Sequence, residues 1–228
     1  IDVVGHINTR DKAQALELRR RMLKIFNPEL SATLVYEYGG FKRVIDCRAY
    51  GEPKILKKEL LYEFDLQIEC LNPFWREEEE TKEDIASWVA AWHFPCVIEK
   101  DNTKSMIYGY RAESVIVDCY NEGDVSTGMR IRFTALGTVS NPILLNVDTE
   151  EFIQINATMK TGDVIEINTK YGSKGAKLIR DGAETDYFRY IDVDSTFMQL
   201  AIGDNMFRHD AASGVNSLEV SIFYSKEF

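Results

Sequence analysis

Histidine and cysteine are scarce in this chain of 228 residues: it holds three of the first and four of the second, with no Cys-x-x-Cys pair, so the ligand spacing of a zinc site is missing. It also lacks a Gly-x-Ser-x-Gly elbow and a His-Glu-x-x-His helix, which leaves hydrolase and metalloprotease chemistry without a signature. Positive charge is in deficit, with 27 Lys and Arg against 37 Asp and Glu, and a net charge of −10 repels phosphate backbones; nucleic acid is not an expected partner. No apolar run approaches the roughly 20 residues that cross a bilayer, and the start at Ile1 has no basic-then-apolar leader of the signal-peptide kind. What remains is ordinary globular composition, 45% hydrophobic and 28% charged, which excludes disorder and fibrous repeats. Cys47, Cys70, Cys96 and Cys119 each sit in an apolar segment, where a free thiol behaves as a small buried hydrophobe; reduced core cysteines suit folding in a reducing cytosol.

Thr9 is placed to cap a helix from Arg10 to about Phe26, because Ala15, Leu18, Met22 and Ile25 recur at helical spacing and Asn27-Pro28 stops it. Its other face carries Arg10, Lys12, Arg19, Arg20 and Lys24, a basic stripe on an acidic protein. From Ala32 to Tyr50 the period changes to two around Gly39-Gly40, which predicts a hairpin. A long strand is expected from about Leu56 to Cys70, with Tyr62, Phe64, Leu66, Ile68 and Cys70 on one face and Glu63, Asp65, Gln67 and Glu69 on the other. Asn72-Pro73 ends it, and the acidic run Glu77 to Glu80 reads as the first turn of a short helix bearing Ile85, Trp88, Val89 and Trp92. From Pro95 onward no helix is predicted. Short β-type runs follow near 106–109, 113–120, 127–136, 143–146, 151–158, 163–169, 176–180, 186–190, 197–201, 205–208 and 217–224. Turn signals separate them about every ten residues, the pattern of an antiparallel sandwich or barrel.

Three local patterns invite a chemical reading, and each has a plainer one. His6-Ile7-Asn8-Thr9-Arg10 is similar to the sugar-contacting motif of galectins, but here it is expected to open a helix, with Asn8 and Thr9 as capping residues. Asp192, Asp194 and Asp204 lie close in sequence, yet they lack the Asp-x-Asp-x-Asp-Gly loop of a calcium site and read as turn-capping aspartates. Tyr171-Gly172-Ser173-Lys174-Gly175 has the residues of a phosphate loop without its Gly-Lys-Ser/Thr ending, and precedes a strand; a hairpin turn is the expected structure. No catalytic, cofactor-binding or metal-binding residue emerges.

Three longer stretches together resemble a known family. They are Phe64-x-Leu66-x-Ile68-x-Cys70-x-Asn72-Pro73-Phe74-Trp75; Gly123-Asp124 with Asn141-Pro142 and Gly162-Asp163-Val164-Ile165-Glu166-Ile167-Asn168-Thr169; and Asp194-Ser195-Thr196-Phe197-Met198 with Gly203-Asp204-Asn205 and Leu218-x-Val220-x-Ile222-x-Tyr224. In order and spacing they resemble the phage distal tail (Dit) proteins of long non-contractile tails, the siphovirus tail components. The resemblance departs at the front, where such proteins carry further residues, so the first domain is expected to lack its usual early strands.

The resemblance implies a mainly β protein in two parts. Residues 1–74 would be the remnant of an N-terminal α+β ring-forming (belt) domain with helix and hairpin, and 75–228 a galectin-like antiparallel β-sandwich. It further implies a non-enzymatic structural part of a phage or prophage tail tip, assembled in the bacterial cytoplasm as a hexameric ring that joins the tail tube to the tip and receptor-binding proteins, without cofactor. A heterologous ring needs two complementary patches per subunit. Arg19, Arg20 and Lys24 facing Glu63, Asp65 and Glu69 of a neighbour are the candidates, on the observation that charge is segregated within one small domain. The alternative is a carbohydrate-binding module or adhesin for host-surface glycans, with Tyr171, Tyr187 and Tyr190 standing in for the tryptophan platform such sites use. A tail-associated hydrolase is a third, for which no carboxylate pair is singled out.

Overall fold

A computed structural model describes residues 1–7, 11–58, 61–85, 87–90, 109–112 and 116–228. They form a mostly antiparallel β protein with one α-helix, as the sequence predicts for its class. Contacts divide the chain into two compact units, Ile1–Glu78 with Phe228, and Glu79–Glu227.

The first unit contains strand β1 (Asp2–Ile7), helix α1 (Lys12–Ile25), and strands β2 (Ser31–Tyr38), β3 (Phe41–Ala49), β4 (Lys54–Lys58) and β5 (Leu61–Glu69). Asp11 caps α1: its carboxylate accepts the Ala13 N–H at 2.9 Å. Residues 8–10, with Thr9 and Arg10, lie outside the described residues. The predicted hairpin is present. Gly39 and Gly40 have φ of 59° and 87°, the pair of left-handed residues that a two-residue turn needs to match the strand twist.

Two features of this unit depart from the sequence reading. The expected single strand from Leu56 to Cys70 is two antiparallel strands, β4 and β5, with Lys54 opposite Asp65 and Lys58 opposite Leu61. Each arm keeps a period of two, and the fold-back shows only as a shift of phase, with Ile55 opposite Phe64 and Lys57 opposite Tyr62. The second departure is β1, which no expectation covered; it pairs with β5 from Asp2↔Gln67 to Ile7↔Tyr62. His6 therefore ends a strand rather than opening a helix. The sheet order is β1-β5-β3-β2, with β4 also on β5. Because β4 occupies most of that edge, β3 meets β5 only at Arg48↔Glu69 and Ala49↔Ile68, with Tyr50 N–H donating to Gln67 O beyond them.

The second unit contains β6 (Thr81–Asp84), β7 (Ser87–Ala90), β8 (Gly109–Ala112), β9 (Ile116–Asp118), β10 (Thr127–Ala135), β11 (Val139–Asn146) and β12 (Phe152–Gln154). It continues through β13 (Thr158–Met159), β14 (Val164–Asn168), β15 (Gly175–Arg180), β16 (Ala183–Asp186), β17 (Gln199–Leu200), β18 (Met206–Ser213) and β19 (Leu218–Tyr224). A seven-stranded sheet runs β16-β15-β14-β10-β19-β6 with β17 on β10, and a five-stranded sheet runs β12-β11-β18-β9 with β13 on β11. Their inner faces share one core: Met129, Ile131 and Phe133 of β10 and Val220, Ile222 and Tyr224 of β19 cluster with Leu144, Ile153 and Phe207.

The helix expected after Glu77–Glu80 is absent: the segment is β6, which pairs with β19 from Thr81↔Tyr224 to Asp84↔Ser221. Its acidic lead-in has a tertiary role in place of a helix-capping one, since Glu80 binds Arg130 at 2.5 Å and Lys170 at 3.2 Å. A free sheet edge and a buried slot for Ile85, whose N–H donates to Val220 O, decide the conformation over local spacing. The side chain of Trp88, all of Trp92 and Cys96, and the run 106–108 lie outside the described residues. Near 186–190, where a strand was expected, β16 ends and Phe188–Tyr190 forms a 3-10 turn.

The motif residues of the second unit are turn keystones. Asn205, 3% exposed, donates to the carbonyls of Cys119, Ala201 and Gly203 and accepts the Ala201 N–H, which pins the turn at Gly203, where φ is 88°. Asp163, after left-handed Gly162, accepts the Lys160 N–H and two bonds from Arg180 at 2.7 and 2.6 Å. Asp192 accepts from Asn156 and from the Asp194 N–H, the turn-capping role expected of it.

Candidate assembly surface

The first unit buries little. Ile7, Ala15, Val44, Ile45 and Leu66 are its buried apolar side chains among the described residues. Along α1 the predicted inward row fades from buried Ala15 through half-buried Leu18 and Met22 to Ile25, which is 57% exposed. Leu16 lies on the solvent side, and beside it α1, β1, β4 and β5 enclose a hollow of about 250 Å³ lined by Ile7, Ala15, Leu16, Arg19, Ile55 and Tyr62.

The hairpin of β2 and β3 is more open still. Val44 and Ile45 anchor its base, at 2% and 3% exposure, while Tyr38 and Phe41 flank the turn at 74% and 68%. β2 is the last strand of its sheet, and neighbouring Val35 and Tyr36 are both exposed although they point to opposite faces. An edge strand with unpaired backbone groups and uncovered aromatic side chains is a template for another chain.

The charges of this unit are distributed unevenly. Among the described residues Arg19, Arg20, Arg21 and Lys24 of α1 have no carboxylate partner. On β5, Glu69 is held by Arg48 at 2.8 Å in its own subunit. Glu63 and Asp65 lie on the inner strand, opposite His6 and Val4 of β1 and Leu56 and Lys54 of β4. Glu63, Asp65 and Glu69 are all half-buried. α1 thus presents a cationic row, and β5 a set of acids partly engaged within the subunit.

The second unit treats its charges differently. Across the outer face of its large sheet, Glu166 of β14 accepts from Arg132 at 2.9 Å and pairs with Lys177 at 3.3 Å, while Lys177 also reaches Glu184 at 3.0 Å. Burial pushes the Glu166 carboxyl up, but the bonds from Arg132 and Lys177 outweigh it and hold its pKa below the ordinary value. Asp163 is held low chiefly by Arg180. Arg130 stacks 4.4 Å from the Phe223 ring centroid. These groups satisfy one another across strands. Of the tyrosines considered for a sugar platform, Tyr171 is exposed, whereas Tyr187 and Tyr190 are half-buried against each other, ring centroids 4.2 Å apart.

Sequence reasoning identified the cations of α1 but missed Val35, Tyr38 and Phe41. Alternation in β2 announced a strand, and strand periodicity carries no information on which neighbours cover it.

Comparison with known proteins bears on both units. Residues 122–228 match the family model of the siphovirus-type tail component, C-terminal domain. Among solved structures, the SPP1 Dit protein, described as a paradigm of the hub adsorption apparatus in phages infecting Gram-positive bacteria, superposes with a TM-score of 0.65 at 10% identity over 100% of this chain and 77% of that one. The baseplate of phage P2 in its activated conformation with Ca gives 0.57 at 12% identity over 99% and 79%, and the form with Sr gives 0.56 at 13% over 98% and 78%. No curated protein matches the chain.

Proposed function

From a chain whose residues 122–228 match the family model of the siphovirus-type tail component, C-terminal domain, and whose fold is like that of SPP1 Dit, we propose that this protein is a Dit-like hub of a phage tail that closes as a ring, most simply a hexamer, between tail tube and tip. The observation that carries the ring is the state of the first unit: a small core beside an open edge strand, exposed Tyr38 and Phe41, and unpaired cations on α1. A unit of this kind gains its missing burial from a neighbour. A head-to-tail contact uses two different patches, and the cationic face of α1 is one of them. Arg19, Arg20 and Lys24 meet acids of the next subunit, with Glu63, Asp65 and Glu69 as the candidates. The role is architectural and needs no cofactor; assembly takes place in the host cytoplasm and the product resides in the virion tail.

Light scattering of the purified chain at two concentrations and two salt levels tests this, with negative-stain imaging of any large species. The expected particle has a mass of about 157 kDa, six times the 26.2 kDa chain, and a central hole. A species that stays monomeric at high concentration and low salt would refute self-assembly as the property of this unit.

A further inference from the structure

The seam between β3 and β5 is the narrowest join in the first unit, and two cysteines stand at its end. The registered pairs are Arg48↔Glu69 and Ala49↔Ile68; one step further the same register sets Cys47 opposite Cys70. Directly opposite residues of an antiparallel pair point to the same face, here the face that also carries Ile45 and Leu66, both buried. The Tyr50 N–H donates to Gln67 O at 2.8 Å, which makes 50↔67 a hydrogen-bonded pair. By alternation 48↔69 is another and 47↔70 is not. Non-hydrogen-bonded pairs bring their Cα atoms to about 4.5 Å, inside the roughly 4.4–6.8 Å window that a disulfide spans. Both thiols are free and half-buried, and burial first, then the neighbouring Cys70, pushes the Cys47 thiol up.

We propose that Cys47 and Cys70 are a disulfide-forming pair, a covalent staple across the β3–β5 seam that closes by exchange with a low-molecular-weight disulfide. In the balanced step one cysteine thiolate attacks the small disulfide RS–SR, expelling RS⁻ and leaving a mixed disulfide; the second thiolate displaces the remaining RS⁻. Two thiol protons end on two RSH, and the chain gains one S–S bond. The pair stays open in a reducing compartment and closes outside it. What the staple fixes is the carriage of the β2–β3 hairpin, which otherwise joins the β1–β5–β4 part through the few seam pairs. The inference does not depend on ring formation. Cys119, fully buried with its thiol pushed up to about 12 by burial, is sequestered from the same reagent.

The experiment treats the folded full chain with oxidised glutathione, blocks remaining thiols with iodoacetamide under denaturing conditions, and reads intact mass and digest without reductant. The expected product has lost two hydrogens, carries two fewer alkyl groups, and yields a peptide joining Cys47 to Cys70. It melts several degrees higher than the reduced chain, and Cys47→Ser and Cys70→Ser each abolish both the link and the shift. Because the raised thiol of Cys47 must deprotonate to react, closure is faster in mildly alkaline buffer than at neutrality. Glutathione adducts that stop at the mixed disulfide, full alkylation after prolonged treatment, or a linked peptide that forms only in denaturant would each overturn the proposal. The mass is read on the single chain, so a failure here and a failure to form rings are separate results.

Discussion

In the second unit the inner faces of two sheets meet in one core, and the charges of the outer face pair across strands, Arg132 and Lys177 with Glu166 and Arg180 with Asp163. In the first unit the aromatic side chains at the hairpin tip and the arginines of α1 have no such cover. The same chain thus holds a part that satisfies itself and a part that does not. Burial of apolar area is the main favourable term in folding, and in the first unit the open edge of β2 is left without it.

The sharpest way to break this contrast is to remove one large side chain from each unit. Phe133→Ala, in the closed core at 0% exposure, is expected to cost about 3–5 kcal/mol in urea unfolding of the second unit. Tyr38→Ser, at 74% exposure, is expected to leave monomer stability within about 0.5 kcal/mol while lowering the population of any oligomer. Equal losses of stability from the two changes would show that the hairpin tip is packed in the monomer and that the contrast is false.

Acid is the next lever. The carboxyls of Asp163 and Glu166 titrate below their ordinary values in the folded chain, so the stability they confer is fully present above the unfolded carboxylate range of about 4. It is lost as the pH falls further, through their folded values. Thermal melts from pH 6 downward should therefore show the second unit weakening below about pH 4, and Asp163→Asn, which removes the charge from Arg180, should flatten that dependence. A melt of the variant as steep in acid as that of the parent would contradict the assignment.

The smallest effect on stability belongs to α1. Arg19→Glu with Arg20→Glu is expected to leave the melting temperature of the monomer nearly unchanged, since neither side chain has a carboxylate partner among the described residues. Assembly should weaken most at low salt, where charge is least screened. An oligomer of unchanged size at low salt would remove these arginines from the interface.

Much of the second unit was legible in advance. Runs such as 127–136 and 217–224 became β10 and β19, where buried residues recur at every second position along most of the strand, and 163–169 became β14, where Ile165, Glu166 and Ile167 are all buried. The Gly203-Asp204-Asn205 and Gly162-Asp163 turns were visible as punctuation, and the structure supplies their reason in the bonds of Asn205 and Asp163. Legibility failed where a local pattern had two solutions. Ile85, Trp88 and Val89 fit a helical face as well as a strand, and the free edge of β19 made the choice for β6. The acids Glu63, Asp65 and Glu69 were readable as one face of a strand, but not that Arg48 of the same subunit already holds the last of them.

By itself the sequence determined what depends on near neighbours: the amphipathic helix, the left-handed Gly39-Gly40 turn, and the alternation and turns of a β-rich chain. Those follow from φ and ψ preferences and from periods of 3.6 and 2, which a few consecutive residues express in full. The tertiary structure alone decided which strand lies beside which: that 54–58 and 61–69 pair as β4 and β5, that β1 completes the first sheet, that β3 and β5 meet at a short seam, and that β2 is left as an edge. Pairing between distant segments depends on burial summed over the whole domain and on backbone hydrogen bonds that any residue but proline can make, so it leaves little trace in any one stretch of sequence.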